Sequence, residues 1–306
     1  MDRFEALKAF VAVAEHRSFA EASRTLRISP AAASRAIADL EQALGVMLLR
    51  RTTRSVALTP EGASYLQSCR IALDELDDAE RSLRGQNAEP RGELIVTAPV
   101  VFGRMHILPI VTKFLRAHPQ LNVNLTLVDR VIRLVEEGID VTVRIADLSD
   151  SSLHVVRLAE VRRVLVANPT YLADRGVPSG VSDLHKHDLV VFDNFATNGE
   201  WRFTESGRPA IRCEPRLLTN SVEAAIDAAL EALGIARALS YQVDAHVRSG
   251  RLRYVLPQFD PAAVPVSLLF QASRRGSPNV RALIAAAQDY FRSGPITYSA
   301  TVVASA

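Results

Sequence analysis

Apolar residues recur through the first sixty positions at the three-and-four spacing of helices. Phe4, Leu7, Phe10, Val11 and Ala14 share one face and predict a first amphipathic helix. Ser18-Phe19-Ala20-Glu21 has the form of a capping box: the serine oxygen caps the third amide and the glutamate reaches back. A short helix with Ala22 and Leu26 inside should follow. Ser29-Pro30 then reads as an N-cap with proline at the first helical position, where its missing N–H would be unpaired anyway. From there Ala33, Ile37, Leu40 and Leu44 form the inward stripe, and Gly45 ends the helix. Two short helices around a tight break make a helix-turn-helix pattern. Apolar Val46–Leu49 and Ser55–Leu58 flank Arg50-Arg51-Thr52-Thr53-Arg54 and predict two short strands around a basic tip, a wing.

Removing the inward stripe leaves Ala31, Ala32, Ser34, Arg35 and Ala38 on the outside of the third helix. A helix entering the major groove needs small residues so that its axis sits deep, and one or two polar groups near its start. Arg35 can fork onto guanine or a phosphate, and Ser34 can donate to either. Ser29, Pro30, Ala31 and Ala32 would approach the duplex with them, and Arg51, Thr52, Thr53 and Arg54 would follow from the wing. The competing reading is a solvated helix with alanines chosen for helix propensity. Residues 1–60 carry nine basic and six acidic side chains, a net +3. Basic charge beside a groove-sized helix is the footprint of duplex binding.

Thr59-Pro60 starts another helix. Tyr65, Cys69, Ala72, Leu76, Ala79 and Leu83 fall at alternating steps of four and three, an a/d seam. The acids Asp74, Glu75, Asp77, Asp78 and Glu80 rule out burial all round. The helix could pack on its own domain. An intermolecular seam in a homodimer is preferred, because it would set two recognition helices one DNA turn apart. Cys69 then serves as a small packing residue. The domain reading is 1–60 for DNA binding, 61–86 for the linker and dimer helix, and a polar hinge containing proline and glycine at 87–92.

Beyond the hinge, strand and helix signals alternate. Strands are expected at Leu94–Ala98, Val123–Val128, Val141–Ile145, Arg162–Ala167, Leu189–Phe192, Arg216–Thr219, Ile235–Ala238 and Val266–Phe270. Helices are expected around 107–115, at Val131–Glu137, Val222–Leu233, Gln242–Val247 and Val280–Phe291. Such alternation predicts parallel sheets with helical crossovers. Two such sets make a two-lobed module over 93–293. Lobe I takes about 93–161 and 266–293 and lobe II about 162–265. Arg162 would be the first crossing and Pro265 the return. A tail, 294–306, looks loose.

Ligands of open α/β sheets sit beyond the carboxyl ends of strands. Here those ends supply Thr97, Pro99, Val100, Val101, Arg144, Asn220 and Ser221. The amides after Pro99 would be free to hold a carboxylate. Phe102, Phe192, Phe195 and Trp201 are candidates for an apolar wall. Core packing competes at each of them, and it outweighs the site reading at Trp201. Arg144 could instead pair with an acid.

Composition narrows the function. The chain has 306 residues and a net charge of +2, so overall charge names no partner. Lys8, Lys113 and Lys186 are the only lysines, and the arginine bias suits bidentate contacts or a GC-rich genome equally. The two cysteines, Cys69 and Cys213, are far apart and point to a reducing cytoplasm. MDRFEALKAF lacks the order of a signal peptide, and no apolar run approaches the ~20 residues of a membrane span. No H-E-x-x-H, P-loop, G-x-S-x-G or G-x-G-x-x-G occurs, and His185 and His187 read as solvated. The expectation is therefore a non-enzyme without metal or cofactor.

The run SFAEASRTLRISPAAASRAIADLEQALGVMLLRRTTRSVALTPEG closely resembles the winged helix-turn-helix of LysR-type transcriptional regulators. The matching positions are Ser18-Phe19, Ala22, Leu26, Ser34-Arg35, Ile37, Leu40-Glu41, Leu44-Gly45, Leu48-Leu49, Arg51, Leu58-Thr59 and Gly62. The resemblance implies that Ser34 and Arg35 face the major groove and that Arg51–Arg54 approach the minor groove or backbone. Many members carry glutamine after the N-cap serine, where this chain has Pro30. Readout would then lean on Arg35, the wing and DNA shape. TAPVVFGR, LVEEGIDVTVRIADL, RRVLVANPTYLADRG and DAALEALGIARALSYQV followed by SGRL resemble the family's effector module. The implied fold is a mostly α winged helix-turn-helix domain with a long linker helix, then an α/β two-lobed domain like type 2 periplasmic binding proteins.

The resemblance implies a regulator whose promoter binding answers to a small-molecule effector, a small acid or an aromatic. It also implies the same dimer helix, a tetramer, and RNA polymerase as a candidate partner. Val100-Val101 stand where a hydroxyl side chain is frequent, so a benzoate- or muconate-like effector does not carry over. A solute-binding module without DNA function is the alternative, and the capped third helix and basic wing argue against it. A thiol redox sensor usually needs two cysteines in the effector module, and this one holds Cys213 alone.

Overall fold

A computed structural model describes residues 2–51, 56–83, 89–130, 132–134, 136–146, 153–192, 200–203, 210–212, 214–294 and 296. The chain divides into two compact units, the first built mainly from residues 1–89.

In the first unit, three helices are set by their caps. Helix α1 spans Arg3–His16, α2 Phe19–Leu26 and α3 Pro30–Leu44. The Ser18 hydroxyl accepts from the Glu21 N–H at 3.3 Å, and the Ser29 hydroxyl from the Ala32 N–H at 3.1 Å. Gly45 closes α3 with φ of 72°, a left-handed value that suits glycine. Phe10, Val13, Ala22, Ile37 and Leu40 meet in the core, and Ala36 joins them beside the expected stripe. Strand β1, Leu49–Arg51, pairs antiparallel with β2, Val56–Leu58. The first strand starts three residues later than the apolar run suggested, leaving Val46 and Met47 exposed. Thr52–Ser55 of the expected wing tip lie outside the described residues.

A buried carboxylate fixes the wing to α3. Glu41 is 7% exposed, and its Oε1 accepts from the Leu48 and Leu49 N–H groups at 2.8 and 3.0 Å. Both amides begin the path into β1, so one side chain of the helix orients the strand that follows it. Glu41→Gln keeps an acceptor but loses the charge. It is expected to cost about 1–2 kcal/mol, because hydrogen bonds to charged groups are the stronger ones. A urea midpoint unchanged from wild type would refute this role.

Helix α4, Pro60–Leu83, runs on from Thr59. The Thr59 hydroxyl donates to the Met47 carbonyl at 2.7 Å and accepts from the Gly62 N–H at 2.9 Å. Leu66 and Cys69 on α4 pack into the α1–α3 core, and Arg70 pairs with Glu15 of α1 at 2.9 Å.

The second unit holds two five-stranded sheets. Strands β3 (Gly92–Ala98), β4 (Leu121–Leu127), β5 (Val141–Ile145), β6 (His154–Val161) and β14 (Val264–Phe270) form lobe I in the order β4-β3-β5-β14-β6. Strands β7 (Arg163–Ala167), β8 (Leu189–Phe192), β11 (Pro215–Thr219), β12 (Ile235–Leu239) and β13 (Arg253–Val255) form lobe II in the order β11-β8-β12-β7-β13. A small hairpin of β9 (Glu200–Arg202) and β10 (Ala210–Arg212) sits beside the second sheet's sequence. The helices are α5 (Val100–Phe102), which passes through a π turn at Gly103–Ile107 into α6 (Leu108–Ala117), then α7 (Pro169–Arg175), α8 (Val222–Leu230), α9 (Ser240–Arg248) and α10 (Pro278–Arg292).

Three expectations are corrected. The sheets are mixed: β3 runs parallel to β4 and β5, but β14 is antiparallel to β5 and β6, and β7 to β12 and β13. The crossing and returning strands lack a helical crossover within their own sheet, so they need not run parallel. Around 131–137 the described residues form turns rather than a helix. Ile132 and Leu134 there satisfy their apolar spacing by packing with Ile139. The return to lobe I precedes Val264, because Pro265 already pairs with Glu160 inside β14. The β5 register begins at Val266, so this proline lacks a neighbour on that side and its missing N–H breaks no ladder bond.

Candidate DNA-binding helix and ligand cleft

The first turns of α3 present a low surface. Ser29, Pro30, Ala31, Arg35 and Ala38 are exposed, and Ala32 and Ser34 are half-buried. Ser29 spends its hydroxyl as the helix cap. Pro30, Ala31 and Ala32 add no reach beyond a methyl group or a ring. Arg35 is the one long side chain among the outward positions named for the groove. Arg51 lies in β1, and Thr52, Thr53 and Arg54 fall outside the described residues.

The seam on α4 divides. Cys69 is 3% exposed in the first unit's core, and the Tyr65 ring lies 5.9 Å from that of Phe10. These two positions therefore serve their own domain, because the first turns of α4 lie along α1. Burial raises the Cys69 thiol above its ordinary value, and a hydrogen bond with Tyr65 partly opposes this. Ala72 and Leu76 are exposed, Leu76 by 43%. The side chains of Ala79 and Leu83 fall outside the described residues.

In the second unit a cavity of about 290 Å³ opens at the carboxyl ends of the strands. Thr97, Pro99, Val101, Arg144 and Phe192 line it as the sequence suggested. Thr97 donates to the Thr142 hydroxyl at 2.8 Å, and both are nearly fully buried, so the floor is already bonded to itself. Arg144 donates from Nη2 to the Ile132 carbonyl at 2.6 Å rather than to an acid.

Other expected positions fall elsewhere. The Val100 N–H was expected to hold an effector carboxylate. It instead donates to Asp129 Oδ1 at 3.0 Å. Phe102 is fully buried behind the cavity, stacked on Phe291 with centroids 5.8 Å apart and edge-on to Tyr241 at 5.4 Å. Trp201 is 4% exposed in the lobe II core with Leu189, Phe203 and Ile211. A large indole finds its full apolar contact there. Asn220 is exposed, and Ser221 caps α8 by accepting from the Ala224 N–H at 3.3 Å. Their neighbour Val222 reaches the cavity. Phe195 and Cys213 lie outside the described residues.

Asp129, Tyr241 and Gln242 line the cavity without a sequence signal that marked them. Gln242 accepts from the Leu239 N–H at 2.8 Å and donates to the Tyr241 hydroxyl at 3.3 Å. Burial raises the Tyr241 phenol, and the charges of Asp129 and Glu223 push the same way. Arg104 pairs with Glu223 at 2.5 Å, joining the turn after α5 to α8.

His106 sits beneath this cavity, against Phe102, Tyr241 and Phe291, with its Nδ1 3.3 Å from the Tyr290 hydroxyl. Burial lowers its pKa from 6.5 to about 4. The folded state thus resists protonation that the unfolded chain accepts. The stability this gives is complete above pH 6.5 and is lost as pH falls toward 4, by about 3 kcal/mol at most. His106→Phe is expected to flatten thermal stability between pH 6.5 and 4.5 relative to wild type. Parallel curves for the two proteins would contradict it.

A three-helix unit with a winged hairpin, together with a two-lobed α/β unit enclosing a small cleft, defines a ligand-responsive DNA-binding regulator. Comparison with known proteins gives the same class. Residues 4–63 match the model of the bacterial regulatory helix-turn-helix protein, lysR family, and residues 87–292 match the LysR substrate binding domain. An HTH-type transcriptional repressor of Pseudomonas aeruginosa is 34% identical over 298 residues, 96% of this chain and 94% of that one. The regulator PtxR of Pseudomonas aeruginosa is 33% identical over 292 residues, 94% and 93% of the two chains. Among solved structures, CrgA, a LysR-type transcriptional regulator from Neisseria meningitidis, gives a TM-score of 0.60 at 27% identity over 94% of this chain and 98% of that one. Full-length AphB of Vibrio cholerae gives 0.60 at 24% identity over 95% and 100%, a likeness of fold.

The chain belongs to the LysR family of transcriptional regulators. It carries that family's DNA-binding helix-turn-helix and its substrate-binding domain. Its relatives are regulators rather than enzymes. Among the described residues no helix is long and apolar enough to cross a membrane.

Proposed function

We infer that this regulator reads operator DNA as a cytoplasmic homodimer, with α3 of each copy in the major groove. A small effector in the cleft of the second unit then changes the arrangement of the two copies on DNA. The observation that carries the reading is the outer face of α3: a capped start, methyl-sized residues, and Arg35. The exposed Ala72 and Leu76 on α4 support self-association along that helix. The Arg104–Glu223 pair and the Phe102–Tyr241 contact join the two lobes, so a ligand that moves one lobe changes both. The mechanism is a population shift, in which the effector stabilises one arrangement more than another. A tetramer and a contact with RNA polymerase extend the same reading.

The test is fluorescence anisotropy with full-length protein and a duplex selected from a random library by that protein. The reading expects binding that weakens by about 10³-fold or more between about 50 and about 200 mM salt, as for six to ten phosphate contacts. Absent or salt-insensitive binding would reject it.

A further inference from the structure

We propose that His106 couples the arrangement of the two lobes to proton uptake, so that acid favours an arrangement in which Tyr241 has left the ring cluster around the imidazole and water has entered. The inference rests on the two-lobed fold of the second unit and not on what the cleft binds.

His106 lies on the π turn Gly103–Ile107 in lobe I and is 5% exposed. Its ring centroid is 4.9 Å from that of Phe102, and 6.1 and 5.8 Å from those of Tyr290 and Phe291 on α10. The Tyr241 ring closes the cluster edge-on at 5.5 Å. Among the described residues it is the one ring of the cluster that lobe II supplies. Tyr241 also stands beside the crossing between lobes. Its neighbour Ser240 donates its N–H to the Arg162 carbonyl at 2.8 Å, and the Ser240 hydroxyl accepts from the Arg162 N–H at 3.2 Å. The start of α9 is therefore fixed to the crossing strand. A rotation of lobe II about that strand moves the Tyr241 ring against His106. Phe102 and Phe291 stack on each other within lobe I, so the boundary between lobes is where the cluster can open.

A neutral imidazole suits this site and a charged one does not. Nδ1 is 3.3 Å from the Tyr290 hydroxyl, while Nε2 is buried without a hydrogen-bond partner among the described residues. A neutral ring can keep its proton on Nδ1 and leave a bare lone pair at Nε2. An imidazolium carries N–H groups on both nitrogens, so one charged donor would stay unpaired in a dry site. The charged groups on the surrounding elements are engaged elsewhere. Arg104, on the same turn, pairs with Glu223 of α8. Asp289 and Arg292 of α10 pair with each other, as do Asp244 and Arg248 of α9. The charges of Asp129 and Glu223 bear on the Tyr241 phenol. Burial is the cause that holds the His106 pKa at about 4. Once water reaches Nε2, the ring returns toward its ordinary 6.5. The hydrated arrangement thus binds the proton more tightly than the buried one. Its ratio to the buried arrangement should rise about thirtyfold between about pH 7.5 and pH 5, and the effect is gone above about pH 7.

Hydroxyl-radical footprinting of the full-length protein, read residue by residue by mass spectrometry, tests it. Trp201 is the internal reference, because it is buried in the lobe II core. From about pH 7.5 to pH 5 the oxidation of Tyr241 and Phe102 relative to Trp201 should rise about twofold or more. His106→Phe keeps a ring but takes no proton, and should remove the rise. Constant relative oxidation in wild type overturns the proposal. So does oxidation of Trp201 that climbs in step with Tyr241, since acid would then unfold the lobe instead of parting it from its neighbour. A folded His106→Phe protein that keeps the rise overturns it too, by assigning the titration to another group. If that variant does not fold, His106→Gln gives the same readout with a neutral polar side chain, and the wild-type comparison stands in either case.

Discussion

Gly62→Ala is expected to unfold the first unit near physiological temperature. A Cβ added at Gly62 would lie 1.9 Å from the Leu48 carbonyl oxygen and 2.8 Å from its carbon. Both are backbone atoms, and neither can turn aside like the end of a side chain. The Leu48 segment is held from two directions, by Glu41 on its amides and by the Thr59 hydroxyl. Relief therefore requires α4 to move off the wing or the wing to leave α3. Overpacking usually costs about 1–3 kcal/mol, and a clash between two pinned backbones belongs at or above the upper figure. That is a large part of the stability of any domain, commonly about 5–15 kcal/mol. Thermal melts followed by circular dichroism should lose the transition of the first unit, and DNA binding should fail with it. A melt indistinguishable from wild type would show that the close approach of α4 to Leu48 is wrong.

Replacing Ser34 and Arg35 together by alanine should weaken binding to a selected duplex by roughly one to two orders of magnitude. A good bidentate base contact is worth about 1–3 kcal/mol, and Arg35 is the residue in the first turns of α3's outer face able to make one. Affinity for a random duplex should fall much less, since sequence-independent contacts to phosphate from the rest of the protein would remain. The Arg35 side chain is exposed, so the folding midpoint should stay close to that of wild type. Equal affinities for selected and random duplex in wild type and variant alike would mean that this helix face does not read sequence.

The two units differ in how far their sequences reveal them. In the first, local rules act without interference. Ser18, Ser29, Pro30 and Gly45 each satisfy a backbone need within a turn of themselves, and the structure uses the three cap and stop residues as such. The family run from Ser18 to Gly62 adds what local rules miss: Glu41 and Gly62 matter through contacts with Leu48, several residues away in sequence. In the second unit, strands with continuous apolar runs such as β3 and β7 are plain. The edge strand β6 escapes notice, because one face of it is solvated and its exposure alternates. The cleft is harder still. Its strand ends are foreseeable, and Thr97, Pro99, Val101 and Arg144 follow from them. Asp129 and Tyr241 reach it from a loop and a second lobe, through tertiary placement that no spacing encodes. Phe102 errs in the opposite direction, while at Trp201 the competing core reading holds. Large rings near a cleft in sequence are drawn to the nearest dry core, and both are buried there.

Dimethyl sulfate protection on a selected duplex puts the third helix to the most direct test. The reagent methylates guanine at N7, which faces the major groove, and adenine at N3, which faces the minor. With wild-type protein, guanine N7 positions in two half-sites about one helical turn apart should be shielded, and with the Ser34, Arg35 double variant at least one of them should become reactive again. Shielding confined to adenine N3, or an N7 pattern that the double substitution leaves untouched, would place the reading surface elsewhere than α3.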